Sequence, residues 1–313
     1  MLYCCVFVLA IDYLGESGIG STFTSPSVPY YAGNGDPWNV HSGNCGDLDI
    51  IGQQKPQSLY RNVLWNVSDM EILVHRPIEW NQEEAVSGWG WPDEQPSWTW
   101  ASTAEGHWIQ IRVFVSTCDG DVALYVNGVE VSDSPQPATY GTEFIATFNT
   151  TYTPGNVTAT CVSTPELTKT LQSSGAAHSL RLTPDRKHGL QATEDDLAYV
   201  LLEVVDANGR LVSEFGDVDV AFELQFGGDD SAVNAFRLAA VANGDPTDIS
   251  SVSQNTTRSW RGKAMAVVQP TPSLSSNKGK AKQLGGDSVT LRAYCPNDAS
   301  ILPAVVAIST GVM

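Results

Sequence analysis

The chain has 313 residues, which is enough for two or three domains with cores of their own. Lys and Arg together number 17 and Asp and Glu 35, so the formal net charge at pH 7 is −18. A field of this sign repels phosphate groups, and the sequence therefore predicts neither nucleic acid nor an anionic membrane as a partner.

An apolar run opens the chain and ends at Asp12. Tyr3–Ile11 is apolar on both faces, which is typical of a parallel strand covered by helices. It has no basic region before it and no small-residue cleavage site after it, so we do not interpret it as a signal peptide. About ten residues are also too few to cross a bilayer. Without covering neighbours, residues 1–15 are an aggregation hazard and a possible site of self-association.

Loops rich in Gly and Pro follow, and they lead into a predicted helix. Pro56 would lie in its first turn, where the missing N–H costs nothing. Leu59, Val63 and Leu64 stand near helical spacing. Strand, loop and helix together make residues 1–67 an α/β unit.

From residue 68 to residue 165 the pattern becomes one of short strands. The alternation is clearest in Ile109, Ile111, Val113 and Val115. Asn127-Gly128 joins Val122–Val126 to Val129–Val131, and this dipeptide between apolar runs is the strongest short signal for a β-hairpin. Strands at this spacing predict an immunoglobulin-like sandwich.

The strongest strand pattern begins near Asp195, beyond a Ser/Thr/Gly-rich stretch, Ser163–Gly175, that we interpret as a linker. Its inner positions are all apolar: Ala198, Val200, Leu202 and Val204. Asp206-Ala-Asn-Gly supplies a turn. A second amphipathic run follows, with Val218, Val220, Phe222, Leu224 and Phe226 on one face. Residues 176–313 are therefore predicted to form a second sandwich.

Six cysteines show neither a C-x-x-C motif nor a Cys/His spacing suited to zinc. Cys118 and Cys161 fall in strand-like segments of one predicted domain and could pair, but the sequence does not decide this. Four N-x-S/T sequons favour an extracellular parent protein, although the chain carries no signal peptide. They begin at Asn66, Asn149, Asn156 and Asn255.

Several of these stretches resemble glycoside hydrolase family 2, the β-galactosidase-type enzymes. Cys45-Gly-Asp-Leu-Asp-Ile-Ile-Gly and the run from Lys55 to Trp65 resemble the end of the family's catalytic barrel. Trp89-Gly-Trp-Pro-Asp-Glu-Gln-Pro-Ser-Trp-Thr-Trp resembles the segment that joins the barrel to the first C-terminal sandwich. Val122-Ala-Leu-Tyr-Val-Asn-Gly resembles that sandwich's hairpin, and Asn243-Gly-Asp-Pro-Thr-Asp resembles part of the final Ig-like domain.

The resemblance implies a mainly β fold, with two Ig-like β-sandwiches preceded by a remnant of a (β/α)8 barrel: its last strand, loop and helix. It also implies an intact enzyme that hydrolyses β-galactosides or related β-glycosides with retention, acting on a carbohydrate and needing no cofactor. The family's two catalytic glutamates lie on earlier barrel strands, so we expect a truncated copy that is inactive alone. The alternative is a non-catalytic carbohydrate-binding or adhesion module built of the same sandwiches.

Candidate substrate-binding residues are few. Asp12 and Glu16 lie at the C-terminal end of the barrel-like strand, where such enzymes place function. Trp89 and Trp91 could stack on a pyranose ring. We favour the alternative, in which these two and their neighbours Trp98 and Trp100 form a core plug between barrel and sandwich, with each indole N–H bonded to the backbone.

No catalytic residue and no metal ligand set is predicted. Neighbouring residues of an extended chain point to opposite faces, so the adjacent acidic pairs are expected to be solvated rather than convergent. These pairs are Glu83-Glu84, Asp93-Glu94, Asp195-Asp196 and Asp229-Asp230. The five histidines are expected to be isolated.

Overall fold

The structure, a computed structural model, describes residues 21–24, 47–77, 83–86, 91–191, 193, 195–214, 217–226, 235–245, 248–271 and 288–311. Three candidate residues, Asp12, Glu16 and Trp89, lie outside the described residues, as do the strand predicted at 3–11 and the pair Asp229-Asp230. The described chain forms two units that divide between Ser173 and Ser174, with Asp245–Ile249 grouped with the first.

The helix of the first unit begins where the sequence predicts. α1 spans Pro56–Leu64 and has the proline in its first turn. Val63 is fully buried against Leu73 and Phe114, and this is the contact that fixes the helix on the protein. Leu64, by contrast, is 37% exposed, so the buried face is narrower than the three predicted positions.

The first unit is mainly β, as predicted. Its strands are β1 Ser21–Thr24, β2 Glu71–His75, β3 Glu83–Val86, β4 Glu94–Gln95, β5 Trp108–Phe114, β6 Asp121–Val126, β7 Val129–Glu130, β8 Gln136–Pro137, β9 Ile145–Thr151, β10 Asn156–Cys161 and β11 Thr168–Gln172. Besides a two-stranded sheet of β1 and β3, one sheet has the order β4-β2-β5-β9 and another has β11-β10-β6-β7 with β8 also on β6. Their inner faces bury a common core, which makes a sandwich.

Inside this core the predicted alternation is confirmed, because Ile109, Ile111 and Val113 are buried. A disulfide joins Cys118 to Cys161 with an S–S distance of 2.05 Å. The sequence left this cysteine pairing undecided. The disulfide joins the segment before β6 to the end of β10.

The predicted Asn127-Gly128 hairpin between β6 and β7 is also confirmed. Both turn residues have positive φ, 50° and 79°, as a two-residue hairpin turn requires. The Asn127 side chain accepts the N–H of Asn156 at 2.7 Å and donates to the carbonyl of Pro154 at 3.0 Å. The carboxamide thus ties the hairpin turn to the Pro154-Gly155 turn, and a Cβ on Gly155 would come within 1.9 Å of its oxygen.

The prediction of a linker over Ser163–Gly175 is wrong. Residues 168–172 form β11, which pairs antiparallel with β10 over five residues. Thr168 and Thr170 hydrogen-bond to the Thr side chains opposite them, Thr160 and Thr158. An edge strand whose exposed face is Thr168, Thr170 and Gln172 has the composition of a linker, yet Thr is a good strand former.

The second unit is a second sandwich of antiparallel strands. They are β12 Ser179–Pro184, β13 Ala198–Val205, β14 Asp219–Phe226, β15 Phe236–Ala242, β16 Thr256–Arg258, β17 Lys263–Pro270, β18 Ser288–Tyr294 and β19 Ala304–Ser309. The sheets have the orders β12-β13-β17-β15 and β16-β14-β18-β19. The apolar set predicted for β13 is fully buried, whereas Tyr199 on its other face is 46% exposed.

The turn after β13 is built by one carboxylate, as its sequence indicates. Asp206 Oδ1 accepts the N–H groups of Asn208 and Arg210 at 2.8 and 2.9 Å. Gly209 takes the left-handed conformation, with φ of 77°, and its N–H donates to the Asp206 carbonyl. The turn chemistry thus fixes the chain reversal that brings residues 204 and 212 together.

Candidate functional site

The outer face of the sheet β4-β2-β5-β9 has two halves with different chemistry. At one end α1 covers Leu73 and Phe114. At the other end is a groove of about 560 Å³, which we name the Trp108 groove. The residues that line it are His75, Arg76, Glu84, Pro92, Trp108, Ile109, Gln110 and Asn149. This concave surface is the candidate functional site.

The candidate Trp91 lies among side chains at the α1 end of this face. Its ring centroid is 5.7 Å from that of Tyr60 and 6.2 Å from that of Phe114. The Arg112 guanidinium lies over the ring, 4.7 Å from the centroid. The indole N–H donates to Glu94. The Trp91 ring therefore packs against protein side chains, and its N–H is hydrogen-bonded within the protein.

Trp98 and Trp100 lie in the core of the first sandwich. The Trp98 N–H donates to the backbone carbonyl of Thr153 at 3.1 Å, as the plug interpretation expects. The expectation fails for the other two described tryptophans, because Trp91 bonds to a carboxylate and the Trp100 N–H has no acceptor among the described residues. Trp98 and Trp100 thus pack inside the sandwich rather than between barrel and sandwich as predicted, and the predicted backbone partner is wrong for two of the three indole N–H groups.

Asp93 and Glu94 are not solvated, which corrects the prediction for this pair. They are only 4% and 1% exposed. Arg112 forms a two-point ion pair with Glu94, in which Nε to Oε2 is 2.8 Å. Arg76 lies 3.6 Å from Asp93. The partners are 17 and 18 residues away in sequence, so the local pattern contained no sign of them.

His75 is likewise not isolated. Its Nε2 is 2.6 Å from Oε2 of Glu84, and its Nδ1 donates to the Arg76 carbonyl at 2.7 Å. Both partners are acceptors, so the doubly protonated imidazolium satisfies them best. Burial opposes the charged form, but the hydrogen bond and charge of Glu84, the Arg76 carbonyl and the charge of Asp93 raise the pKa of His75 above its usual value.

This pair predicts a pH-dependent contribution to stability. A raised folded pKa means that the contribution is complete below the unfolded pKa of about 6.5 and is lost as pH rises through the folded pKa. In the native protein the Asp93 N–H donates to Oε1 of Glu84. Glu84→Gln keeps an oxygen acceptor for this N–H but removes the negative charge beside His75. We expect the difference in unfolding free energy between native protein and this variant to be largest between about pH 5 and 6.5, and to shrink above that range.

Denaturant titrations at a series of pH values measure this difference. Glu203→Gln is the matched control, because Glu203 pairs with an arginine, Arg181, and not with a histidine. A Glu84→Gln difference that is as independent of pH as the control would contradict the assignment of an imidazolium to His75.

The described residues were also searched for metal sites and for membrane-spanning helices. No group of three His, Cys, Asp or Glu side chains in this part of the chain is arranged to bind a metal ion. No helix in the described ranges has the length and apolar character needed to cross a membrane.

Comparison with known proteins identifies the second sandwich. Residues 180–292 match the model of the glycoside hydrolase family 2 C-terminal domain 5. The chain is 27% identical to the β-galactosidase BoGH2A of Bacteroides ovatus over 273 residues, which cover 87% of the chain. It corresponds to the C-terminal portion of a family 2 protein. The family model thus covers the second of the two sandwiches, and the similarity to BoGH2A extends over most of the chain.

Solved structures agree with this family 2 assignment. A family 2 member from Bacteroides cellulosilyticus shares 26% identity and matches with a TM-score of 0.69 over 86% of the chain. A β-glycosidase from Bacteroides vulgatus, at 22% identity and a TM-score of 0.63 over 90% of the chain, supports the fold alone. The chain spans 25% of the length of BoGH2A and 32% and 30% of these two structures.

Trp108, the exposed aromatic residue of the groove, was not among the residues that the sequence analysis proposed as candidates. Trp108 begins β5 and is 70% exposed. The alternation of β5 was interpreted through its inner set, Ile109, Ile111 and Val113. The outer set contained the residue, because Trp108 alternates with the buried Ile109 and therefore faces outward.

Proposed function

We propose that this chain belongs to a β-galactosidase-like glycoside hydrolase, in which its sandwiches act as scaffold and its own residues do not supply the catalytic glutamate pair. Support for the enzyme class comes from the family 2 domain at 180–292 and from the similarity to BoGH2A. That similarity extends over 273 residues and therefore includes both sandwiches.

The observation that carries the scaffolding role is the engagement of the carboxylates near the groove. A retaining glycosidase places two carboxyl groups about 5 Å apart across the sugar. Glu84 lines the Trp108 groove, but one of its oxygens is bonded to His75 and the other accepts the N–H of Asp93. Asp93 and Glu94 are buried beside arginines. Such carboxylates stabilise the fold rather than attack or protonate a glycoside.

An assay of the purified chain with nitrophenyl β-galactoside, β-glucoside and β-glucuronide tests this proposal. We expect no turnover above that of a heat-denatured sample. Glu84→Gln and Asp93→Asn serve as matched variants, because each removes one carboxylate and keeps the side-chain shape. Turnover by the native chain that either variant abolishes, with its circular dichroism spectrum unchanged, would overturn the scaffolding role.

A further inference from the structure

The Trp108 groove combines a flat apolar ring with hydrogen-bonding side chains on one sheet face. Trp108 stands opposite Thr151 of β9, and the next outward residue, Gln110, stands opposite Asn149. Gln110 and Asn149 both line the groove beside the indole. Carboxamides donate and accept hydrogen bonds, so each can serve a hydroxyl group in either role.

Trp108 differs from the two tryptophans in the core of this sandwich. The indole of Trp108 is 70% exposed, whereas Trp98 and Trp100 are 0% and 4% exposed. An aromatic side chain left uncovered beside convergent polar groups is typical of a binding site. The groove volume of about 560 Å³ also lies within the range of small-molecule sites, roughly 300–1,000 Å³.

The charges around the groove cancel in pairs. His75 is paired with Glu84 at 2.6 Å, and Arg76 with Asp93 at 3.6 Å. An anionic ligand would have to compete with a carboxylate that is already in place, and a cationic ligand with an imidazolium or guanidinium. The groove therefore suits a neutral ligand rich in hydroxyl groups.

We propose that the Trp108 groove binds a neutral oligosaccharide without hydrolysing it. The indole face of Trp108 packs on the C–H face of one pyranose ring, since the negative face of an aromatic ring attracts polarised hydrogens. Gln110 and Asn149 hydrogen-bond to the ring hydroxyls, and Arg76 and His75 border the adjacent position. This proposal does not rest on the scaffolding role, because binding is measured without turnover.

Titration calorimetry of the full chain tests the proposal, with cellotetraose and β-1,4-galactotetraose as neutral probes and a galacturonic acid tetramer as the anionic probe. At least one neutral probe should bind in the millimolar range or tighter. Trp108→Ala should weaken that binding by at least about tenfold, which corresponds to 1.4 kcal/mol. Gln110→Ala should weaken it less.

Trp65→Ala is the matched control, because Trp65 is also an exposed tryptophan, at 60%, but lies after α1 and outside the groove lining. It should leave affinity unchanged. No binding of either neutral probe at about 10 mM would overturn the proposal. So would an equal loss in Trp65→Ala and Trp108→Ala, or tighter binding of the anionic tetramer than of the neutral ones.

Discussion

Replacing Cys118 and Cys161 together with alanine should lower the unfolding free energy of the first sandwich by about 4 kcal/mol. The disulfide closes a loop of 43 residues. Releasing a loop of this length increases the conformational entropy of the unfolded chain, and the loop-closure relation gives about 4 kcal/mol at 25 °C. Alanine is the appropriate replacement because both sites are nearly fully buried, at 7% and 0% exposed.

Denaturant unfolding of native protein and double variant under oxidising conditions measures the loss. Cys295→Ala is the control, since Cys295 is a free buried cysteine of the second sandwich. Burial, aided by the carboxylates of Asp298 and Asp219, raises the pKa of this thiol to about 11. Cys295 is therefore protonated at neutral pH and does not attack the disulfide. A loss in the double variant no larger than in the control would contradict the prediction.

Glu94→Gln is expected to destabilise the first sandwich by about 3–5 kcal/mol. The side chain of Glu94 is 1% exposed and that of its partner Arg112 is 15% exposed. The variant leaves a largely buried guanidinium without its carboxylate, and it also changes the acceptor of the Trp91 indole N–H. The cost comes from desolvating an uncompensated charge, not from the loss of one attraction.

An exposed ion pair provides the comparison. Glu223 and Arg292 are paired at 2.8 Å, with side chains 37% and 35% exposed. Glu223→Gln should cost at most about 1 kcal/mol, because water stabilises either charge when its partner is removed. Equal losses in Glu94→Gln and Glu223→Gln would show that burial does not set the cost at Glu94. Adding Arg112→Met to Glu94→Gln should recover part of the loss by removing the stranded charge.

The elements predicted correctly are those whose cause is local. The alternation of β13 places Ala198, Val200, Leu202 and Val204 in the core because successive side chains of a strand point to opposite faces. The hairpin at Asn127-Gly128 follows from the positive φ that both residues tolerate. α1 begins at Pro56 because proline fits the first turn of a helix.

The failures have a non-local cause. β11 has the composition of a linker, and its pairing with β10 makes it a strand. Asp93 and Glu94 have the composition of a solvated turn, and an arginine two strands away buries Glu94. The groove was missed for the same reason, since Trp108, Asn149 and His75 meet only when the sheet forms. Local patterns do not contain contacts between distant residues.

The Asn127 carboxamide connects two turns of the first sandwich. It bonds both sides of the Pro154-Gly155 turn while its own backbone forms the hairpin between β6 and β7. Opening the Pro154-Gly155 turn breaks both bonds of this side chain, which belongs to the neighbouring hairpin. We therefore expect the two turns to open together in local fluctuations, with their hydrogen-bonded amides exchanging with solvent in the same event.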